Sequence, residues 1–234
     1  MRIYLNGNRT ILHAKRTVQT ALFLLIALLL LLACSACKKQ MDYFPYVSEL
    51  RSDIFLAEED GFSLRVYTVT KENPYQPDGI PHEQNTRVEV YLTAPEGDET
   101  CNLSFAFDGR EFGGEMSYDN VKSEYFFSCS LDVFGESVLP CHIEYGDKSL
   151  QLEAKSVRTD TTLSAQSILQ KLQAEESELF ASLTDKYGFA GEIYIRLIYE
   201  DSPYYYVGVI DRNGSVNAFL INAQTSKILA KHTT

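Results

Sequence analysis

Residues 62–68, FSLRVYT, place apolar side chains at every second position, and this alternation decides the fold of the chain. Alternation with a period of two is typical of a β-strand that has one face on a core and the other in water. Residues 88–93, VEVYLT, repeat the pattern. It recurs in four later segments, at residues 101–107, 125–131, 141–145 and 150–152.

Turn residues separate these segments. Glycine, proline and acidic residues cluster at residues 59–61, 95–98, 108–109, 113–114 and 146–147. Many short strands at this spacing predict an antiparallel β-sandwich of immunoglobulin-like type over residues 43–157. Residues 156–162 are polar and lack an apolar period, so we place the boundary of this domain there.

A helix is predicted next, with an apolar side that is interrupted by Glu175 and Glu176. Its apolar residues are Ile168, Leu169, Leu172, Leu179, Phe180, Leu183 and Tyr187. Ser164 is the predicted N-cap and Gly188 the predicted C′ residue. Three strands follow, at residues 192–200, 204–210 and 215–222. The Asn-Gly pair at residues 213–214 predicts a hairpin between the last two strands.

Residues 222–229, NAQTSKIL, follow this meander. The helix, the meander and this segment resemble the PepSY-like modules of secreted bacterial proteins, which close with an aspartate, a few residues, Thr-Gly-Lys and an aliphatic pair. Asn222 stands where aspartate is usual, and Ser226 stands where glycine is usual. The resemblance covers about residues 164–231 and implies a small α+β binding or inhibitory module, at residues 163–234, without catalytic residues of its own.

The N-terminal residues have the layout of an export signal. Four basic residues precede an apolar run at residues 21–32, and small residues follow it. Residues 31–34, LLAC, resemble the lipobox of bacterial lipoproteins, whose cysteine receives a diacylglycerol thioether and becomes the first mature residue. The resemblance implies that Cys34 is lipidated, that residues 1–33 are a signal peptide and that residues 34–42 are a tether.

Two alternatives to this leader stay open. Cys37 also follows a small residue, although Cys34 then occupies the place where the lipobox has leucine. The apolar run could also remain as an uncleaved anchor, but it is shorter than the roughly 20 residues that a spanning helix needs. Lipidation predicts an extracytoplasmic protein held at the cell membrane by its N-terminal lipid.

The chain is acidic. It has 32 acidic residues against 21 basic ones, and the four charges of the predicted leader are all basic, so the exported part is more acidic than the whole chain. This charge repels phosphate polyanions and anionic headgroups, which disfavours nucleic acid and direct binding to a membrane surface. The expected partners are therefore the membrane, through the lipid anchor, and an envelope protein or polymer.

The sequence predicts no catalytic residues, no metal site and no cofactor. The four histidines have no serine or cysteine partner in a recognisable arrangement, and no paired Cys or His spacing exists. Cys101, Cys129 and Cys141 lie on the apolar sides of their predicted strands. One pair could be bridged in an exported protein, with Cys101 and Cys129 as the first candidate; alternatively, all three are small buried hydrophobic residues.

Tyrosines supply the candidate partner-binding residues. Tyr75 lies between prolines in the long loop at residues 72–86, which is either a partner contact or a stiff connector. Tyr204 and Tyr206 point away from Tyr205 on one strand. If the helix covers the Tyr205 face, the other two are displayed for recognition; packing against the sandwich is the alternative.

These features predict a membrane-anchored extracytoplasmic lipoprotein with a non-catalytic protein- or polymer-binding role at the cell envelope. A second hypothesis is an inhibitor or chaperone of a secreted peptidase, acting through the C-terminal module. A third is an envelope hydrolase whose site lies at the domain interface and uses convergent carboxylates or His82.

Overall fold

The computed structural model describes residues 41–76, 80–95 and 99–234. Residues 43–234 form one compact unit. The predicted signal peptide, Cys34 and most of the predicted tether lie outside the described residues. Among the described helices, none is long and apolar enough to cross a membrane.

The fold is mainly β, as the sequence predicts, and the strands and helices follow one another along the chain. The described strands are β1 (Val47–Glu59), β2 (Phe62–Glu72), β3 (Gln84–Thr93), β4 (Cys101–Phe107), β5 (Arg110–Glu115), β6 (Ser117–Asp119), β7 (Glu124–Cys129), β8 (Val138–Tyr145), β9 (Lys148–Ser156), β10 (Thr184–Asp185), β11 (Gly188–Phe189), β12 (Gly191–Tyr199), β13 (Pro203–Asp211), β14 (Val216–Asn222) and β15 (Ile228–Thr233). The described helices are α1 (Ala165–Glu175) and α2 (Ser177–Ser182), and a short 3-10 helix precedes β1 at Phe44–Tyr46.

Strands β1 to β9 form an antiparallel sandwich. One layer has the order β1-β2-β3-β7-β6, and the other has the order β9-β8-β4-β5. The alternating apolar side chains meet between the layers: Phe62, Leu64, Val66, Val88, Val90 and Leu92 from the first, and Cys101, Leu103, Phe105, Cys141, Ile143 and Leu152 from the second. Each of these side chains is at most 3% exposed, so the alternation in the sequence corresponds to the core.

Two Asp-Gly pairs form tight hairpins at positions where the sequence predicts turns. Asp60 and Gly61 join β1 to β2, and Asp108 and Gly109 join β4 to β5. All four residues have positive φ, between 49° and 82°. This is the backbone of a type I′ turn, whose twist matches that of the two flanking strands.

Strand β1 connects the sandwich to the C-terminal part of the chain. Its C-terminal half pairs with β9, with Phe55 opposite Ser156. Its N-terminal half pairs in parallel with β12, with Leu50 opposite Ile195. The register of β1 against β2 shifts near Asp53, between these two halves. Strands from both sides of the predicted domain boundary therefore belong to one continuous sheet.

Helix α1 begins where the sequence predicts. The side chain of Ser164 accepts a hydrogen bond from the Ser167 amide at 3.1 Å, which satisfies one of the unpaired donors of the first turn. The predicted single helix is broken into two, because the backbone at Glu176 leaves the helical region with φ −109° and ψ 37°. The break falls at the acidic interruption of the apolar pattern.

The prediction for Gly188 is wrong. This residue belongs to β11, which pairs with β10 in a short hairpin, and is not the C′ residue of a helix. The helical segment ends earlier, since the hydroxyl of Thr184 donates to the carbonyl of Phe180 at 2.7 Å in place of a further helical amide. After the hairpin, β12, β13 and β14 form the predicted antiparallel meander, and β15 adds a fourth strand.

The three cysteines of the described region are free thiols, so the candidate bridge between Cys101 and Cys129 is not formed. The two residues lie in different layers, and the sulfur of Cys101 packs 3.6 Å from that of Met116. Burial raises the pKa of Cys101 to about 11 and that of Cys141 to about 12. Both thiols stay protonated and unreactive near neutral pH.

Candidate functional site

The sheet formed by β1, β12 and β13 has an outer face that is opposite helix α1. On the helix side, Tyr205 is completely buried, and its hydroxyl donates to the Leu163 carbonyl at the start of α1, at 3.0 Å. The neighbouring strand residues Ile193, Ile195, Leu197 and Val207 are also completely buried. Because side chains alternate along a strand, the outer face carries the half-buried residues Glu192, Tyr194, Arg196, Tyr204 and Tyr206.

A groove crosses this outer face at the junction of β1 and β12, and we call it the outer groove. Its volume is about 560 Å³, within the range of roughly 300–1,000 Å³ that is usual for ligand sites. The lining residues come from five strands and from the loop after β2: Ser48, Glu49, Lys71, Glu72, Asn73, Tyr75, Arg87, Glu192, Tyr194, Arg196 and Ile210.

Two ion pairs fix charged side chains at the outer groove. The guanidinium of Arg196 donates to both carboxylate oxygens of Glu49, at 2.7 Å and 2.8 Å, across the parallel pair of β12 and β1. Burial disfavours ionisation of Glu49, but the hydrogen bonds and charge of Arg196 outweigh it and hold the pKa of Glu49 below its ordinary value. The ammonium of Lys71 lies 2.7 Å from the buried carboxylate of Glu89. The two ion pairs therefore fix the positions of the Arg196 guanidinium and the Lys71 ammonium.

Stacked tyrosines form the aromatic part of the site. The rings of Tyr194 and Tyr206 stack with centroids 5.7 Å apart, and the guanidinium of Arg196 lies 4.7 Å from the Tyr194 centroid. Gly208 makes room for this arrangement, since a Cβ at that position would lie 2.0 Å from Cζ of Tyr194. The glycine is therefore required by the position of the Tyr194 ring.

Tyr75 lines the outer groove from the loop after β2. The residue is 55% exposed, while its hydroxyl donates to Glu192 at 2.8 Å. The hydroxyl of Ser48 also donates to Glu192, so the carboxylate is held from two sides. Burial of the hydroxyl and the adjacent Glu192 carboxylate raise the pKa of Tyr75 to about 12. The loop thus presents an aromatic face to solvent with its polar end fixed.

The strands beneath the outer groove have no free edge. Each of β1, β2, β3, β12 and β13 is paired with a strand on both of its edges. A ligand in the groove cannot add itself to the sheet as a further strand. Recognition at this site is therefore carried out by side chains.

The structure brings together some of the predicted partner-binding residues. Tyr75 reaches Glu192 on β12, and Tyr206 stacks on the next outward residue of that strand, Tyr194. Tyr204 and Tyr206 share the outer face, but neither lines the outer groove itself. Glu192, Tyr194 and Arg196 are absent from the residues predicted from the sequence, although the alternation of β12 places all three on the face opposite its buried residues.

The described residues offer little other chemistry. No cluster of three or more His, Cys, Asp and Glu side chains is placed to hold a metal ion in that part of the chain. The backbone amide of His82 donates to the carboxylate of Glu72 at 3.3 Å, at the end of β2. No protein-family pattern, curated protein or solved structure matches the chain.

Proposed function

We propose that this chain is a membrane-anchored extracytoplasmic lipoprotein whose outer groove binds an envelope protein or polymer without catalysing a reaction on it. The observation that carries the binding role is the outer groove itself, in which aromatic rings and ionic pairs are held in fixed positions by their neighbours. Rigid tyrosines offer a large amphipathic contact area at a small entropic cost. Ordered charges orient a partner and exclude those with the wrong charge pattern.

The anchoring role rests on the lipobox. Cys34→Ala should abolish the incorporation of labelled fatty acid and release the protein from the membrane fraction, because the acylated thiol is lost and membrane attachment depends on buried acyl chains. Fatty-acid labelling and fractionation of host cells measure both effects. Cys37→Ala is the matched control and should leave them unchanged. Undiminished labelling of Cys34→Ala would remove the anchoring role.

The binding role is tested by photo-crosslinking in the host envelope. A photoreactive phenylalanine analogue in place of Tyr206 should capture a discrete partner, since this ring stacks on Tyr194, which lines the outer groove. The same analogue in place of Val121, which is 91% exposed in the turn between β6 and β7, is the control. Tyr194→Ala should reduce capture at position 206 by about tenfold or more, as expected for loss of an aromatic anchor worth at least about 1.4 kcal/mol.

The crosslinked species decides between the proposed roles. A structural envelope protein or polymer captured at position 206 and not at position 121 supports the binding role. A peptidase whose activity falls when the chain is added assigns the alternative role of inhibitor or chaperone. Equal capture at both positions, unaffected by Tyr194→Ala, would show that the outer groove is not the contact surface.

A further inference from the structure

A second concave site lies on the opposite face of the same strands. Its volume is about 280 Å³, close to the lower end of the roughly 300–1,000 Å³ range of small-molecule sites. Leu50 and the helix-side Tyr205 line it, whereas Tyr194 and Arg196 of the outer face line the outer groove, so the two sites lie on different faces of the sheet. We call it the junction cavity, because it is bounded by β1, β2, β13, Arg158 and the start of α1.

The junction cavity contains a positioned cation. The guanidinium of Arg158 donates to the Ser52 carbonyl at 3.2 Å, to the Tyr205 hydroxyl at 2.9 Å and to the Thr162 carbonyl at 3.4 Å. All three acceptors are neutral. The charge of Arg158 acts on the buried carboxylate of Asp53, but that carboxylate accepts its hydrogen bonds from Ser156 and the Ile54 amide, and among the described residues no carboxylate forms an ion pair with Arg158. These contacts occupy three of the five N–H groups of the side chain, and the other two have no partner among the described residues.

The remaining walls are mainly apolar. Phe134 is 52% exposed, and its ring centroid lies 5.1 Å from the guanidinium carbon of Arg158. Phe44 and Leu50 also line the cavity. The one carboxylate among the described lining residues, Asp132, is exposed and accepts a hydrogen bond from the Phe134 amide at 2.9 Å. A mainly apolar cavity with a positioned cation at its wall is the usual composition of a site for a small organic anion.

The geometry points to the junction cavity as a binding site for a small organic carboxylate with an apolar, aromatic-sized body. The carboxylate accepts from the two free N–H groups of Arg158, a planar donor that matches its two oxygens. The body of the ligand packs against Phe134 and Leu50. A neutral isostere cannot form the charge-assisted hydrogen bonds, so it should bind more weakly. This site is independent of the outer groove and of the role proposed for it.

The test uses two probes of nearly equal shape, 3-phenylpropionate and its neutral amide, with the folded chain from residue 35 onwards. Amide chemical shifts measured by NMR during titration give both the affinity and the location. The acid should shift the amides of Ala165 and Gln166, which line the junction cavity, and bind about tenfold or more tightly than the amide. Arg158→Gln should remove that preference.

Two further variants keep the test decisive if Arg158→Gln fails to fold. Arg110→Gln removes an exposed arginine that lies 5.5 Å from the Phe112 ring on β5, outside the cavity, and should leave the preference for the acid unchanged. Phe134→Ala truncates an exposed wall and should weaken both probes. Equal affinity of acid and amide for the wild-type chain, shifts confined to residues outside the cavity, or no shift at millimolar probe would each overturn the proposal.

Discussion

Phe55→Ala is expected to lower the free energy of unfolding by about 4 kcal/mol, as is usual when a fully buried aromatic ring is lost from a core. Phe55 has no exposed surface and belongs to the sandwich core. It also lies on β1, where this strand pairs with β9 on one edge and with β2 on the other. Truncation leaves a cavity whose walls are strands that cannot easily move together, because each is fixed by its neighbours.

Urea denaturation of residues 35–234, followed by circular dichroism, measures this loss. A loss of about 4 kcal/mol is a large part of the roughly 5–15 kcal/mol that is usual for a folded protein. Val121→Ala is the control, since this side chain is 91% exposed and its truncation should change the stability by about 0.5 kcal/mol or less. A loss below about 1 kcal/mol for Phe55→Ala would contradict the packing described for β1.

The same denaturation curves report on the connection between the two parts of the chain. Because β1 pairs with β12 as well as with β2 and β9, the sandwich and the C-terminal part should unfold together, and Phe55→Ala should shift one common transition. Two separate transitions, only one of which moves in the variant, would show that residues 43–157 and 163–234 fold as independent domains.

Asp53→Asn is expected to change the pH dependence of stability. Asp53 is 1% exposed; one carboxylate oxygen accepts from Ser156 at 2.7 Å and from the Ile54 amide at 2.8 Å, while the other is buried without a partner among the described residues. Burial raises the pKa of Asp53 from 3.8 to about 6, although these hydrogen bonds and the charge of Arg158 act in the opposite direction.

The direction of the effect follows from proton linkage. Below the unfolded-state pKa, Asp53 is protonated in both the folded and the unfolded protein. No stability is then lost through burial of its charge. As the pH rises from the unfolded-state pKa to about 6, the unfolded chain releases this proton while the folded protein still holds it, and about 3 kcal/mol of stability is lost. Asparagine does not ionise, so Asp53→Asn should gain about 2–3 kcal/mol relative to the wild-type protein between about pH 4 and pH 7.

Urea denaturation of both proteins across this pH range gives the difference directly. Other carboxyl groups titrate in both proteins alike and cancel in the comparison. The difference between Val121→Ala and wild type should stay constant with pH, since no ionisable group is changed. A constant difference for Asp53→Asn as well would show that the pKa of Asp53 in the folded protein is the same as in the unfolded chain.

Much of the fold can be predicted from local patterns. The alternation in β2, β3, β4 and β8 predicts their inward faces, and the turn residues at 59–61 and 108–109 predict two turns, which are type I′ hairpins in the structure. The N-cap Ser164 is equally local, since its hydroxyl bonds an amide only three residues away. These features depend on residues that are neighbours in the sequence, so the interactions that favour them can form before the chain is compact.

Strand β1 could not be predicted in this way. Its sequence, VSELRSDIFLAEE, buries the polar residues Ser48 and Asp53 as well as Val47, Ile54 and Phe55. The alternation fails because β1 changes partner along its length and its register shifts near Asp53. The ion pair between Glu49 and Arg196, and with it the outer groove, depends on that pairing.

By itself, the sequence determined the strand-rich composition of the fold, the inward face of most sandwich strands, the hairpin turns and the start of α1. Only the tertiary structure decided that β1 pairs in parallel with the distant strand β12. This pairing placed Glu49, Arg196 and Tyr75 at the outer groove and Arg158 at the junction cavity. The physical reason is that local alternation specifies which face of a strand is buried, whereas the choice of partner strand depends on the packing of the whole chain.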